Sequence, residues 1–195
     1  MNYLAHLFLA QNNSDSLTGN LMGDFCQGLD IRQLPRPVQL GIHNHRSIDR
    51  FTDNHVLVRE LKGHLPKEMR RYSGIIADVV FDHFLALHWQ DYCDQSFFEF
   101  RSQRYQQLLT RIDLMPERMQ LMVQRMTSQD WLSGYQELSN IDRALNGIGM
   151  RMRFANPLHR AIEPIKENYH IYQATFAAFF PELVIHVDKE NIESA

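Results

Sequence analysis

Gly74–Trp89 reads GIIADVVFDHFLALHW, and its apolar residues leave few directions that can face water. A helix that is apolar nearly all round belongs inside a larger assembly of elements. Yet Asp78, Asp82 and His83 interrupt this one. Asp78 and Asp82 are four apart, so on a helix they stack on one side. Two carboxylates in a poorly hydrated place repel each other, and burying each ion costs several kcal/mol unless something compensates. A divalent cation is one compensation. A wet face that turns both carboxylates to solvent is the other reading.

Three further segments repeat the pattern. Gly41–His55 reads GIHNHRSIDRFTDNH and sets His45, Asp49 and Asp53 at successive i,i+4 positions, with too few apolar residues for an ordinary core helix. Residues 19–25, GNLMGDF, place Asp24 beside Met22 and Phe25, and NYLAHLFLA at the amino terminus embeds His6 among leucines. A single histidine on an apolar helix is usually a satisfied core residue. Four segments of this kind, rich in imidazole and carboxylate and free of thiolate, suit Mn, Fe, Mg, Ni or Zn in a mixed N/O site. His45 is preferred over His43, which lies off the face shared with Asp49, and His55 is expected on the surface.

The chain of 195 residues is read as one domain, and its 44% apolar and 22% charged residues are those of an ordinary globular protein. A net charge of −3 excludes a nucleic-acid polycation. Two cysteines without a CxxC pair argue against a cysteine zinc site and fit a reducing, cytoplasmic setting. No run approaches the ~18 apolar residues needed to span a bilayer, and the amino-terminal segment lacks the basic start and cleavage signature of a signal peptide. No segment alternates with period two, so an all-α fold is expected. Ser14 or Asp15 would cap a helix to about Gly28, Pro66 would open one reaching about Tyr92, and Pro116 another with a core methionine stripe. Asn156–Pro157 would start a helix that Pro164 kinks or breaks.

Metal sites of oxygen and imidazole are typical of phosphoester hydrolysis, where the cation lowers the pKa of a water and screens phosphoryl oxygens. GxSxG, Walker, GxGxxG and HExxH motifs are all absent. Two dense basic stretches, Arg59–Arg71 and Arg143–Lys166, would attract an acidic protein or a phosphate if they are more than solvated faces.

In order and spacing, MNYLAHLFLA, GNLMGDF, GIHNHRSIDRFTDNH and DVVFDHFLALHW resemble the acyl carrier protein phosphodiesterase family, over residues 1 to about 90. That family is similar to a divergent branch of the helical HD-type metal phosphohydrolases, so the resemblance implies a single HD-like helical bundle. It further implies removal of 4′-phosphopantetheine from holo-acyl carrier protein, with Mn²⁺ the usual metal and Mg²⁺ or Fe²⁺ as other divalent candidates. One departure matters: the superfamily's His-Asp dyad stands here in the reversed order Asp82–His83. Asp24, His45, Asp78 and Asp82 are the expected metal ligands, with His6, Asp49 and His83 as catalytic or adjoining groups. Arg70 and Arg71, about two turns before Asp78, are expected to meet the acidic carrier. The alternatives are a nucleotide or small-metabolite phosphohydrolase on the same centre, and a non-catalytic helical binding protein.

Overall fold

The computed structural model describes residues 1–194, and among them are eleven α-helices and no strand. The expected all-α fold is what forms. In chain order the helices are α1 (Tyr3–Leu9), α2 (Ser14–Met22), α3 (Arg36–Asn54), α4 (Val56–Glu60), α5 (Ser73–Leu87) and α6 (Phe97–Leu109). They continue as α7 (Glu117–Ser128), α8 (Trp131–Gly134), α9 (Leu138–Arg151), α10 (Ile162–Glu167) and α11 (Tyr169–Glu190). None of the described helices is long and apolar enough to cross a membrane.

The apolar helix α5 lies at the centre, touching α1, α4, α9 and α11. Ile76, Val79, Val80, Phe81, Phe84 and Leu85 are all buried, so apolar side chains at nearly every position find partners. On one side α11 lays Phe176 and Phe179 against Phe81, with ring centroids 5.6 and 5.4 Å away. Each fully buried phenylalanine contributes roughly 1.5–3 kcal/mol of transfer free energy. The methionine stripe of α7 is core as expected: Met119, Val123 and Met126, spaced to share one helix face, are buried.

Several boundaries differ from the sequence reading. Residues 67–72 form a 3-10 segment, not the start of a long α-helix, and α5 begins only at Ser73. Met69 and Tyr72 are both buried, as the threefold repeat of a 3-10 turn permits, while Arg70 and Arg71 stay exposed. Helix α2 is capped by Asn13, whose side chain accepts the Ser16 N–H, and it gives way at Met22 to a 3-10 turn over 23–25. Pro164 breaks nothing. It sits in the first turn of α10, where the missing N–H would have had no intrahelical partner. His55 is not a surface residue: only 10% of its side chain is exposed, and its ring packs edge-on against Phe179.

The closest helix pair is α2 with α3, and two glycines make it so. A Cβ on Gly19 would stand 2.3 Å from the Val38 carbonyl oxygen, and one on Gly41 would stand 2.6 Å from that of Ser16. Backbone therefore meets backbone at this crossing. Glu193, in the short 192–194 turn, closes over it by accepting from Ser16 Oγ and Asn20 Nδ2, both at 2.7 Å.

Candidate metal centre

The α2–α3 crossing has a direct consequence for His45. The Asn20 carbonyl belongs to the last turn of α2, where helix carbonyls lack intrahelical partners, and it accepts from His45 Nδ1 at 2.7 Å. This bond fixes the tautomer and leaves Nε2 as the outward-facing nitrogen, the arrangement usual for a metal-binding histidine. The imidazole lies in a slot vacated by Gly23, where a Cβ would fall 2.1 Å from His45 Cδ2.

Around that nitrogen the structure gathers acceptors. His45 Nε2 is 3.0 Å from Asp49 Oδ2, one turn along α3, and 3.5 Å from Asp24 Oδ1. His6 comes across from α1, its ring stacked on His45 at 4.0 Å, with Nε2 3.2 Å from Asp49 Oδ1. One ligand atom each from His6, His45 and Asp49 lies within 4.8 Å of the others. The Met1 nitrogen stands 3.1 Å from Asp49 and 2.9 Å from Asp78. Asp78 Oδ1 is buried and, although ion-paired there, has no hydrogen bond.

Charge in the cluster is strongly coupled. Burial disfavours the His45 cation, but Asp24 and Asp49 outweigh it and push the pKa up to about 9. Burial, reinforced by the positive charge of His45, pushes His6 down to about 4. Burial also works against the Asp49 anion, yet its hydrogen bonds with His45 and His6 hold it far below the usual carboxylate range. Asp24 is lowered in the same way, with His45 overcoming burial.

Asp82 and His83 stand apart from this group. Asp82 faces α1 like Asp78, but its two oxygens accept the Leu4 and Ala5 N–H groups at 2.7 and 3.0 Å. It therefore satisfies the orphan donors at the start of α1. Burial raises its pKa to about 7, against the pull of those two N–H groups. His83 is engaged at both nitrogens: Nδ1 donates to the Tyr135 carbonyl at 2.7 Å and Nε2 accepts from the Tyr169 hydroxyl at 2.8 Å. The adjacent pair thus points to two places, neither of them the His6–His45–Asp49 cluster. His43 is exposed. Arg70 and Arg71 are exposed on the segment before α5, with Arg70 Nε donating to the Leu65 carbonyl and Arg71 lying 4.8 Å from the centre of the Tyr72 ring.

Asn20, which orients His45, has no part in the sequence reading, because its role is played by a backbone carbonyl that no side-chain pattern announces. Gly23 lies in the quoted GNLMGDF segment, and its spacing from Gly19 was the available signal for a tight contact.

These placements separate a positioning role for Asp82 from a ligand role. Asp82→Ala leaves two buried N–H groups unpaired, at about 1–3 kcal/mol each, so its melting temperature is expected to fall by several degrees. Metal content of the folded variant is expected to match the wild type. Loss of metal with an unchanged melting temperature would instead make Asp82 a ligand.

The family model described as acyl carrier protein phosphodiesterase matches residues 1–183. A protein of that name from Serratia proteamaculans (strain 568) is 37% identical, over 94% of this chain and 96% of its own length. One from Escherichia coli O6:H1 is 35% identical, and one from Escherichia coli K12 / DH10B is 34% identical, each over 98% of this chain and 100% of its own. No solved structure matches the chain. With agreement that runs through the segments carrying His6, Asp24, His45 and Asp49 and on through α11 to residue 183, the chain belongs to the acyl carrier protein phosphodiesterase family.

Proposed function

We propose that this chain hydrolyses the phosphodiester of holo-acyl carrier protein, releasing 4′-phosphopantetheine and leaving the apo-carrier, with a divalent cation held at the His6–His45–Asp49 cluster. The observation that carries the reading is the cluster itself, in which two imidazoles and a carboxylate converge with Asp24 and Asp78 beside them.

The donor set fits a cation. Carboxylate and imidazole atoms converge around Asp49, and the buried Asp78 Oδ1 is matched by the Met1 ammonium at 2.9 Å, a positive charge where a cation is proposed. His6 Nδ1 is buried without a partner, while Nε2 faces Asp49 Oδ1 and the Met1 carbonyl, both at 3.2 Å, so the ring reaches the cluster through Nε2. Nitrogen and oxygen donors without thiolate suit Mn²⁺, Fe²⁺ or Mg²⁺. When bound, such a cation supplies Lewis-acid polarisation of the phosphoryl group and a lowered pKa for water.

The chain's own residues hold and shape the site. The Asn20 carbonyl keeps the His45 proton on Nδ1. Asp49 ties the two histidines together, and its charge keeps the cluster attractive to a cation. Asp24, 57% exposed, stands at the solvent side, where a substrate arrives. The overall change adds water across one P–O bond: hydroxyl goes to phosphorus and a proton to the departing serine oxygen of the carrier.

The test is to incubate purified protein, with and without added Mn²⁺, with holo-acyl carrier protein and with free nucleotides, following products by mass spectrometry. Conversion of the holo-carrier to its apo form, dependent on metal and unmatched on nucleotides, is expected. Turnover of nucleotides alone would transfer the centre to a small-metabolite phosphohydrolase. Absence of bound metal and of all turnover would leave a helical binding protein.

A further inference from the structure

Besides the cluster the protein contains a second feature that phosphodiester hydrolysis at the cluster does not use. A cavity of about 480 Å³ opens between the start of α1 and the α8–α9 region. That volume suits a slim small-molecule ligand. Helix α9 lines it at helical spacing with Asn140, Arg143, Ala144, Gly147, Ile148 and Arg151. On an adjoining face α9 buries Ile141 and Leu145 in the core, while Ala144 and Ile148 on the lining face are only partly buried against it. Trp131 adds an aromatic wall.

The walls combine apolar surface, side-chain amides and cationic groups. Trp131, Ala144 and Ile148 offer contact area, Asn2 and Asn140 offer amides, and Arg143 and Arg151 offer positive charge. Asn2 donates to the Tyr135 hydroxyl, and Asn140 donates to the Gly134 carbonyl and accepts from Arg143, and each group keeps further capacity. A ligand that matches all three carries amide groups, apolar surface and an anionic group.

The cavity and the cluster both use α1. Tyr3 lines it and lies one turn before His6 on α1, and the Asn2 carbonyl accepts the His6 N–H. The Tyr3 hydroxyl is within electrostatic reach of Arg151 in the cavity and of Asp24 at the cluster. A phosphodiester at the cluster would have this cavity, on the same helix α1, as a place for the organic part of the molecule. Next to Arg151 the surface carries Met150, 87% exposed, and Phe154, 75% exposed, together with Arg153. An exposed apolar pair among arginines complements an acidic protein surface with an apolar centre.

We propose that this cavity is the subsite for the pantetheine arm, with the acidic carrier protein seated on the adjoining surface of Met150, Arg153 and Phe154. The inference rests on the carrier-protein reading of the metal centre. It moves the docking face from Arg70 and Arg71, which are anchored to Leu65 and Tyr72, to the other basic stretch.

Gly147 allows a direct test. A Cβ there meets nothing closer than the Arg151 Nη1 at 3.9 Å, so Gly147→Phe grows into open space from a helix that gains propensity. The probe is 4′-phosphopantetheine itself, titrated by calorimetry into wild-type and variant protein, alongside kinetics on holo-carrier. We expect the variant to lose at least about tenfold in affinity for the probe. KM for the carrier should rise by a similar factor while kcat changes less, and metal content and melting temperature should stay at wild-type values. Should Gly147→Phe melt early, Ala144→Phe fills the same space from the preceding turn and replaces it.

Wild-type hydrolysis of holo-carrier with an unchanged KM and probe affinity in the filled variant would overturn the subsite and leave the proposed function standing. Probe binding that the variant abolishes, in a protein that hydrolyses no holo-carrier, would uphold the subsite and overturn that function. A wild-type protein that neither binds the probe nor turns over carrier would overturn both.

Discussion

Asp49→Ala is expected to strip the protein of its divalent cation and to lower kcat/KM on holo-acyl carrier protein by about 10³-fold or more, the equivalent of the several kcal/mol of charge stabilisation a catalytic metal supplies. Among the described residues Asp49 is the one carboxylate paired with both imidazoles, through Oδ1 to His6 and Oδ2 to His45. Without it two stacked, buried rings 4.0 Å apart face each other with no anion between them. A cation would then lose a ligand and one of the three carboxylates around it. His43→Ala is the matched control, an exposed histidine on the same helix and outside the cluster. Elemental analysis of the purified variants beside initial rates makes the comparison. Wild-type metal content and rate in Asp49→Ala would remove the cluster from the mechanism.

His45 and Asp49, which the sequence ties by i,i+4 spacing, are also brought together by the fold. Their pairing needs only the i,i+4 geometry of α3, which a sequence displays directly. His6 and Asp24 stood out as polar residues in apolar segments, and both reach this pair through tertiary contacts. Asp82 stood out for the same reason and belongs elsewhere. A buried carboxylate needs compensation, but two backbone N–H groups 77 and 78 residues away supply it as well as an ion could, and a sequence does not show them. His83 is a similar case: its partners are a carbonyl at Tyr135 and a hydroxyl at Tyr169, brought in by α8 and α11. Helix α5 itself was legible because burial on all sides leaves a continuous apolar pattern. The 3-10 stretch before it was not, since residues spaced by three are compatible with either helix type. The cavity along α9 was out of reach too, for its lining mixes amides, arginines and small residues in a pattern that an exposed helix face would share.

The second large effect is expected away from any ionisable group. Gly41→Ala should lower the melting temperature by a few degrees, up to about 8 °C on a scale of about 2–4 °C per kcal/mol for a domain of this size, and should reduce metal content as well. Two opposing contributions decide the sign. Alanine in a helix interior gains up to about 1 kcal/mol over glycine. Against this, the new Cβ would sit 2.6 Å from the Ser16 carbonyl oxygen and 2.9 Å from the Gly19 Cα. Those are backbone atoms of another helix, which cannot rotate out of the way as a side chain can. Overpacking of a well-filled contact costs typically 1–3 kcal/mol, occasionally more, and relief here requires α2 and α3 to separate. Separation also draws the Asn20 carbonyl away from His45 Nδ1, releasing the tautomer and ring orientation that the cluster depends on. Stability and metal binding should therefore fall together, although Gly41 touches neither a ligand nor a charge. Gly63→Ala serves as control, because a Cβ there meets nothing within 4 Å. Thermal melts with and without added Mn²⁺, paired with metal analysis, read both effects. A Gly41→Ala protein that melts at or above the wild-type temperature would show that the helices part easily, and that His45 is not held in place by their crossing.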